Sequence, residues 1–254
     1  MKYIIIFIII ITLALSALIG IRGYSYYSPA KERVPYQTIQ HNDDTIRIAY
    51  IGDSWAYMHE SHSCQLSTMI ENKVHRPVIV KSHGICGLTS KEIYEAFFED
   101  NSYKKFLTSG FNFCIISAGI NDTYKKMSVN YYKKSMDCII RFFLANHIRP
   151  IILEIPDYNI EKAYERQTSL RKILRQLSMF VNNTPLDCKQ MFRESLDDLI
   201  KERGYEQEVN VIRYKEWNAN YDDNLKTLYI RGGMHLNENG YANLDSSIAS
   251  TVKL

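Results

Sequence analysis

Three things are scarce in this chain of 254 residues. Net charge is the first, since 31 Lys and Arg against 28 Asp and Glu leave a formal charge of only +3 at pH 7. The basic residues are scattered among the acids, without the cationic footprint that a phosphate backbone demands, so nucleic acid is not expected as a partner. Cysteine is the second. Cys64, Cys86, Cys114, Cys138 and Cys188 are odd in number and lack the tight spacing of a zinc site or a redox pair. Cys114 and Cys138 fall in apolar patterns and read as small buried thiols. His59, His62 and His83 add no second cluster that would complete four ligands, so neither a metal nor another cofactor is expected. Repetition is the third: there is no internal repeat, and low complexity is confined to the N-terminus.

That terminus, "MKYIIIFIIIITLALSALIGIRG", carries no charge between Lys2 and Arg22. A run of about 18 apolar residues would rise roughly 27 Å as a helix, close to the thickness of a bilayer core. A cleavable signal sequence is the rival reading, but its small-x-small site at Ala14-Leu15-Ser16 would cut inside the run. Residues 1–22 are therefore expected to be a single-pass membrane anchor. Lys2 on one side and Arg22, Lys31 and Arg33 on the other leave its orientation unspecified. Residues 23–44, polar, with two prolines and no sustained period, suit a linker.

From residue 45 onward β-rich runs alternate with amphipathic stretches. "TIRIAYIG", "PVIVKS", "FNFCIISAG", "RPIILEIP" and "VNVIRY" predict strands, and helices are predicted at 63–74, 90–107, 130–146, 160–181 and 186–203. Strand, helix, strand in succession implies a parallel sheet with helices on both faces. Ligands bind such sheets beyond the carboxyl ends of the strands. The residues there are Gly52-Asp53-Ser54, then "SHGICGLTS", then Gly119-Ile120-Asn121-Asp122, three polar loops converging on one edge.

Ser54 can be a nucleophile if a base takes its proton, or it can simply cap the next helix. His235, in "GGMHLNENGY", is the candidate base. Gly87 could present a bare backbone N–H, Asn121 a side-chain amide, and Ser54 its own N–H to an oxyanion. The Gly-x-Ser-x-Gly elbow of other hydrolases is not met, because Ala56 occupies its second glycine position.

"IGDSWA", "SHGICGLTS", "SAGINDT" and "GGMHLNENGY", in that order, resemble the four blocks of the SGNH (GDSL-type) hydrolase superfamily. The resemblance spans nearly all of 45–254 and implies a three-layer α/β/α sandwich with a parallel, flavodoxin-like sheet. It also implies that Ser54 is the nucleophile, that Gly87 and Asn121 are oxyanion-hole donors with the Ser54 N–H, and that His235 is the general base. One element of the pattern is missing: the family's usual aspartate three residues before the histidine is Gly232 here. A backbone carbonyl near Gly232 could orient the imidazole in a Ser–His dyad, a carboxylate such as Asp222 or Asp223 could substitute, or the site could be inactive. The activity so implied is hydrolysis of acyl, above all acetyl, esters on a carbohydrate or cell-envelope substrate. The anchor would hold the domain on the extracytoplasmic side, periplasmic or at the cell surface. O-acetyl transfer to a surface polysaccharide and non-catalytic binding by a degenerate site are the alternatives.

Overall fold

A computed structural model describes residues 2–251. Five strands, β1 Ile46–Gly52, β2 Val78–Gly84, β3 Phe113–Ser117, β4 Arg149–Leu153 and β5 Asn210–Ile212, form one sheet in the order β2-β1-β3-β4-β5. Every neighbouring pair is parallel, and this is the flavodoxin-like order. Apart from the half-buried Arg47, all residues of β1 and β3 are buried, as a sheet covered on both faces requires.

The helices are α1 Lys2–Tyr27, α2 Ser54–Met58, α3 Ser63–Val74, α4 Ser90–Glu99, α5 Asn101–Thr108, α6 Ile120–Lys125, α7 Val129–Ala145, α8 Ile160–Glu165, α9 Ser169–Asn182, α10 Lys189–Arg203, α11 Tyr214–Asn218, α12 Tyr221–Asn224 and α13 Glu238–Thr251. A 3-10 turn, His59–His62, joins α2 to α3. The chain steps from β1 to β2 in one direction and from β2 through β5 in the other. With right-handed crossovers this puts α3 on one face of the sheet and α4, α7 and α10 on the opposite face. Helix α13 packs on α3, and α7 packs on α4 and α10, completing the two outer layers.

The structure divides two of the expected helices. The one expected at 90–107 breaks at Asp100, whose carboxylate accepts from the N–H groups of Ser102 and Tyr103 and so starts α5. The one expected at 160–181 restarts at Thr168, which caps α9. The stretch expected as a linker has neither helix nor strand from residue 29 to 42 but lies along the domain. Ala30 N donates to Ser135 Oγ (3.1 Å), Arg33 N to Tyr94 OH (2.8 Å), Thr38 N to Asn146 Oδ1 (3.0 Å) and Ile39 N to the Thr108 carbonyl (3.2 Å). Tyr36 packs edge-on against Phe98 and Phe142. Among the described residues no helix is long and apolar enough to cross a membrane. Most side chains of residues 1–22 lie outside the described residues, and the anchor expectation falls there.

Candidate active site

Strand β1 ends at Gly52, where the chain must turn against β3. A Cβ at Gly52 would stand 2.0 Å from the Ser117 carbonyl oxygen, and φ is +145°, so only glycine fits. The turn is held from below by Tyr103, whose buried hydroxyl accepts from Gly52 N (3.1 Å) and lies within donating distance of the Gly52 and His83 carbonyls (3.1 and 3.2 Å). Asp53 follows and caps α2, its carboxylate accepting from Trp55 N at 3.0 Å. Asp53 therefore takes the capping role, and the Ser54 hydroxyl lies 3.0 Å from Nε2 of His235.

The loop after β3 is brought to the same place. Asn121 Nδ2 donates to Asp53 Oδ2 (3.1 Å) and to the Leu88 carbonyl (3.0 Å), so one amide ties together the loops that follow β1, β2 and β3. Both amide hydrogens are engaged within the protein, and an oxyanion would have to share one of them. Next to it, buried Asp122 accepts from Ser90 N (2.9 Å) and Ser90 Oγ (2.5 Å), fastening the β3 loop to the start of α4. Burial pushes the Asp53 carboxyl up to about 7, against the hydrogen bonds from Trp55 N–H and Ser117, and pushes Asp122 up to about 6. Gly87 has φ +83° with no atom within 4 Å of where a Cβ would stand. Its glycine answers to the left-handed turn rather than to crowding.

His235 stands on a short hairpin. Tyr229 and Leu236 form an antiparallel bridge, Ile230 N donates to the His235 carbonyl (2.9 Å), and Gly232 and Gly233, at φ +130° and +69°, make the turn. Three successive carbonyls of this hairpin are held. Gly233 O accepts from Tyr221 OH at 2.7 Å, Met234 O from Trp55 Nε1 at 3.1 Å, and His235 O from Ile230. Trp55 directly follows Ser54, so Ser54 and His235 are joined twice, through their side chains and through this indole. Neither Trp55 nor Tyr221 was marked by the sequence for this role, because a donor to a backbone carbonyl leaves no pattern. Only the adjacency of Trp55 to Ser54 hinted at it.

Among the described residues no acid reaches His235. Asp222 and Asp223 are exposed on α12, and Asp223 instead accepts from Asn220. At the vacant acid position the neighbour is a cation: Arg166 Nη1 lies 3.2 Å from where a Cβ on Gly232 would stand. Gly232 and Gly233 line a cavity of about 320 Å³ whose charged walls are Lys162, Lys226 and Arg231. Burial alone acts on the His235 imidazole and pulls its pKa below the ordinary histidine value. The other histidines lie elsewhere. His59 pairs with Asp245 (2.8 Å, both fully buried), His62 stacks on Tyr241, and His83 reaches Ser102 Oγ (3.2 Å).

No family model matches the sequence, and no curated protein is similar to it. Solved structures are. An acetyl xylan esterase matches with a TM-score of 0.57 at 14% identity, over 82% of this chain and 100% of its own. A lipase/acylhydrolase from Enterococcus faecalis matches with 0.56 at 16% identity, over 81% of this chain and 94% of its own. An acetyl-xylooligosaccharide esterase from Geobacillus matches with 0.55 at 14% identity, over 82% and 94%. The three-layer fold implied by the SGNH resemblance is the fold found.

Proposed function

We propose that this protein is a serine esterase of the SGNH type that removes acyl groups, chiefly acetyl, from a carbohydrate or cell-envelope substrate. The observation that carries the reading is the 3.0 Å contact between Ser54 Oγ and His235 Nε2 at the carboxyl edge of the sheet. Neutral His235 accepts the Ser54 proton as Oγ attacks the ester carbonyl. The oxyanion is met by the N–H groups of Ser54 and Gly87 and by the Asn121 amide. Collapse expels the alcohol, which takes the proton from His235. Water, deprotonated by the same imidazole, then releases the acid and restores Ser54.

The site works as a dyad. The hairpin carbonyls clamped by Trp55 and Tyr221 position the imidazole, and among the described residues no carboxylate balances the imidazolium. Residues 1–22 form a membrane anchor in this proposal, supported by the run without charge between Lys2 and Arg22, and the domain lies on the extracytoplasmic side. Fold neighbours named as acetyl xylan and acetyl-xylooligosaccharide esterases support the acetyl-carbohydrate substrate class.

The test is hydrolysis of an aryl acetate by the full chain and by Ser54→Ala, alongside labelling with a serine-reactive fluorophosphonate. Loss of both turnover and label in the variant is expected, and turnover that survives the substitution overturns the mechanism. The cation at the vacant acid position favours a second reading, a binding module without catalysis. A wild-type chain that takes no label while still binding acetylated glycan would establish it.

A further inference from the structure

Helix α9 is built the wrong way round for a surface helix in water. Leu170, Ile173, Leu174, Leu177, Phe180 and Val181 recur at the spacing of one helical face, and their exposure runs from 51% at Leu174 to 86% at Phe180. The face turned to the protein is the polar one. Arg175 Nη1 donates to the Lys125 carbonyl (3.2 Å) with its guanidinium over Tyr124, Lys172 lies over Tyr164, and Asn182 Nδ2 donates to the Lys126 carbonyl (2.7 Å). Ser178, buried, meets the Tyr27 hydroxyl at 2.6 Å. An amphipathic helix on a globular protein buries its apolar stripe. Scattered apolar residues on a surface mean nothing, but a contiguous patch of six marks something that covers it.

Two observations identify the cover. The charged residues of α9 are Arg171, Lys172 and Arg175, with no acid anywhere in the helix. Leucine, isoleucine and phenylalanine on one face, with Arg171 as the exposed charge beside them and no acid to repel anionic headgroups, suit a helix that lies in the headgroup layer of an anionic bilayer. The contact between Tyr27 and Ser178 then sets α9 against the last turn of α1, the end at which the proposed anchor leaves the bilayer. Tyr24 and Tyr26, both exposed in that turn, are residues suited to the same depth.

We infer that α9 is an interfacial membrane-binding helix whose apolar face rests in an anionic lipid surface. It enters from the loop that carries Arg166 to Gly232, so docking brings the Ser54–His235 edge of the sheet down to the membrane and selects substrates displayed there. The inference is independent of the chemistry at Ser54 and extends the membrane part of the proposed function.

The test places a tryptophan at the most exposed point, Phe180→Trp, in the full chain mixed with phosphatidylglycerol-containing vesicles whose acyl chains are brominated. Trp55 and Trp217, at 2% and 6% exposure, contribute emission that lipid does not reach. Emission added by the new residue is expected to fall at least twofold, and adding Leu174→Glu and Leu177→Glu should abolish the quenching. Quenching no greater than that of Lys134→Trp, on the exposed side of α7, overturns the inference. So does efficient copy-to-copy cross-linking through Phe180→Cys, which would make a second copy of the chain the cover. Vesicle sedimentation separates the two membrane readings. A chain that pellets without quenching at position 180 keeps the anchor and loses α9, and one that does not pellet loses both.

Discussion

Gly232 is at φ +130° with Arg166 Nη1 3.2 Å from its would-be Cβ, so placing there the aspartate of the SGNH pattern should not build a triad. The side chain would be held in a backbone conformation that costs about 1–3 kcal/mol for a residue other than glycine, and its carboxylate would meet the guanidinium before the imidazole. Gly232→Asp is expected to lower Tm by several degrees without raising kcat, and a gain in kcat would show that the hairpin can relax. The same missing carboxylate fixes the pH dependence. A base must be neutral to accept the serine proton, and burial pulls the His235 pKa below its ordinary value with nothing to raise it. Activity therefore rises with pH through a midpoint below about 6.5, read from kcat/KM on an aryl acetate. A midpoint at or above 7 would mean that an acid reaches the imidazole after all. Trp55→Phe removes the donor to Met234 O and should lower kcat about tenfold, roughly 1.4 kcal/mol, with little change in KM. Equal losses in kcat and thermal stability alone, with an unmoved pH profile, would make Trp55 merely structural. At this scale the meeting of Ser54 with His235 and the place of Asn121 among the three loops were legible in the sequence, because side chains of those types leave a motif. The indole clamp was not, because its partner is a backbone oxygen.

The elements that deliver these residues were legible to different degrees for physical reasons. All five strands were, since β-rich apolar runs bounded by glycine and polar loops admit little else. The helices at 90–107 and 160–181 misled because helical periodicity continues across a break when the two pieces share an apolar register or when one piece turns its apolar face to the outside. The break at Asp100 has a purpose that only the structure shows, since it starts α5 and so places Tyr103 under Gly52. Tyr103→Phe would leave Gly52 N–H without its acceptor in a fully buried position, at a cost of about 1–3 kcal/mol. That should lower Tm by roughly 3–10 °C, measured by thermal unfolding. Because the turn at Gly52 sets where Ser54 begins α2, kcat should fall as well, whereas an unchanged kcat would place Tyr103 outside the support of Ser54.

For the whole molecule, the boundary between linker and domain was drawn from composition, and composition is a poor guide where extended chain packs on helices. Polar residues and prolines satisfy a strap as well as a tether. The stretch before β1 gives four backbone N–H groups, of Ala30, Arg33, Thr38 and Ile39, to Ser135, Tyr94, Asn146 and Thr108, and covers Phe98 and Phe142 with Tyr36. Each bond is worth about 1 kcal/mol net, so a fragment starting at residue 45 should unfold roughly 10 °C below one starting at residue 24. It should also expose the Phe98 and Phe142 surface to hydrophobic dyes. The two fragments unfolding together within a degree would show that the strap is a tether. The result bears on function as well as stability, because the strap runs from α1 across α4, α5 and α7 to β1. It therefore fixes the distance and orientation between the proposed anchor and the sheet edge that carries Ser54. A loosened strap would leave aryl acetate hydrolysis in solution intact while lowering activity on substrate held at a vesicle surface, a split that a simple loss of fold would not produce.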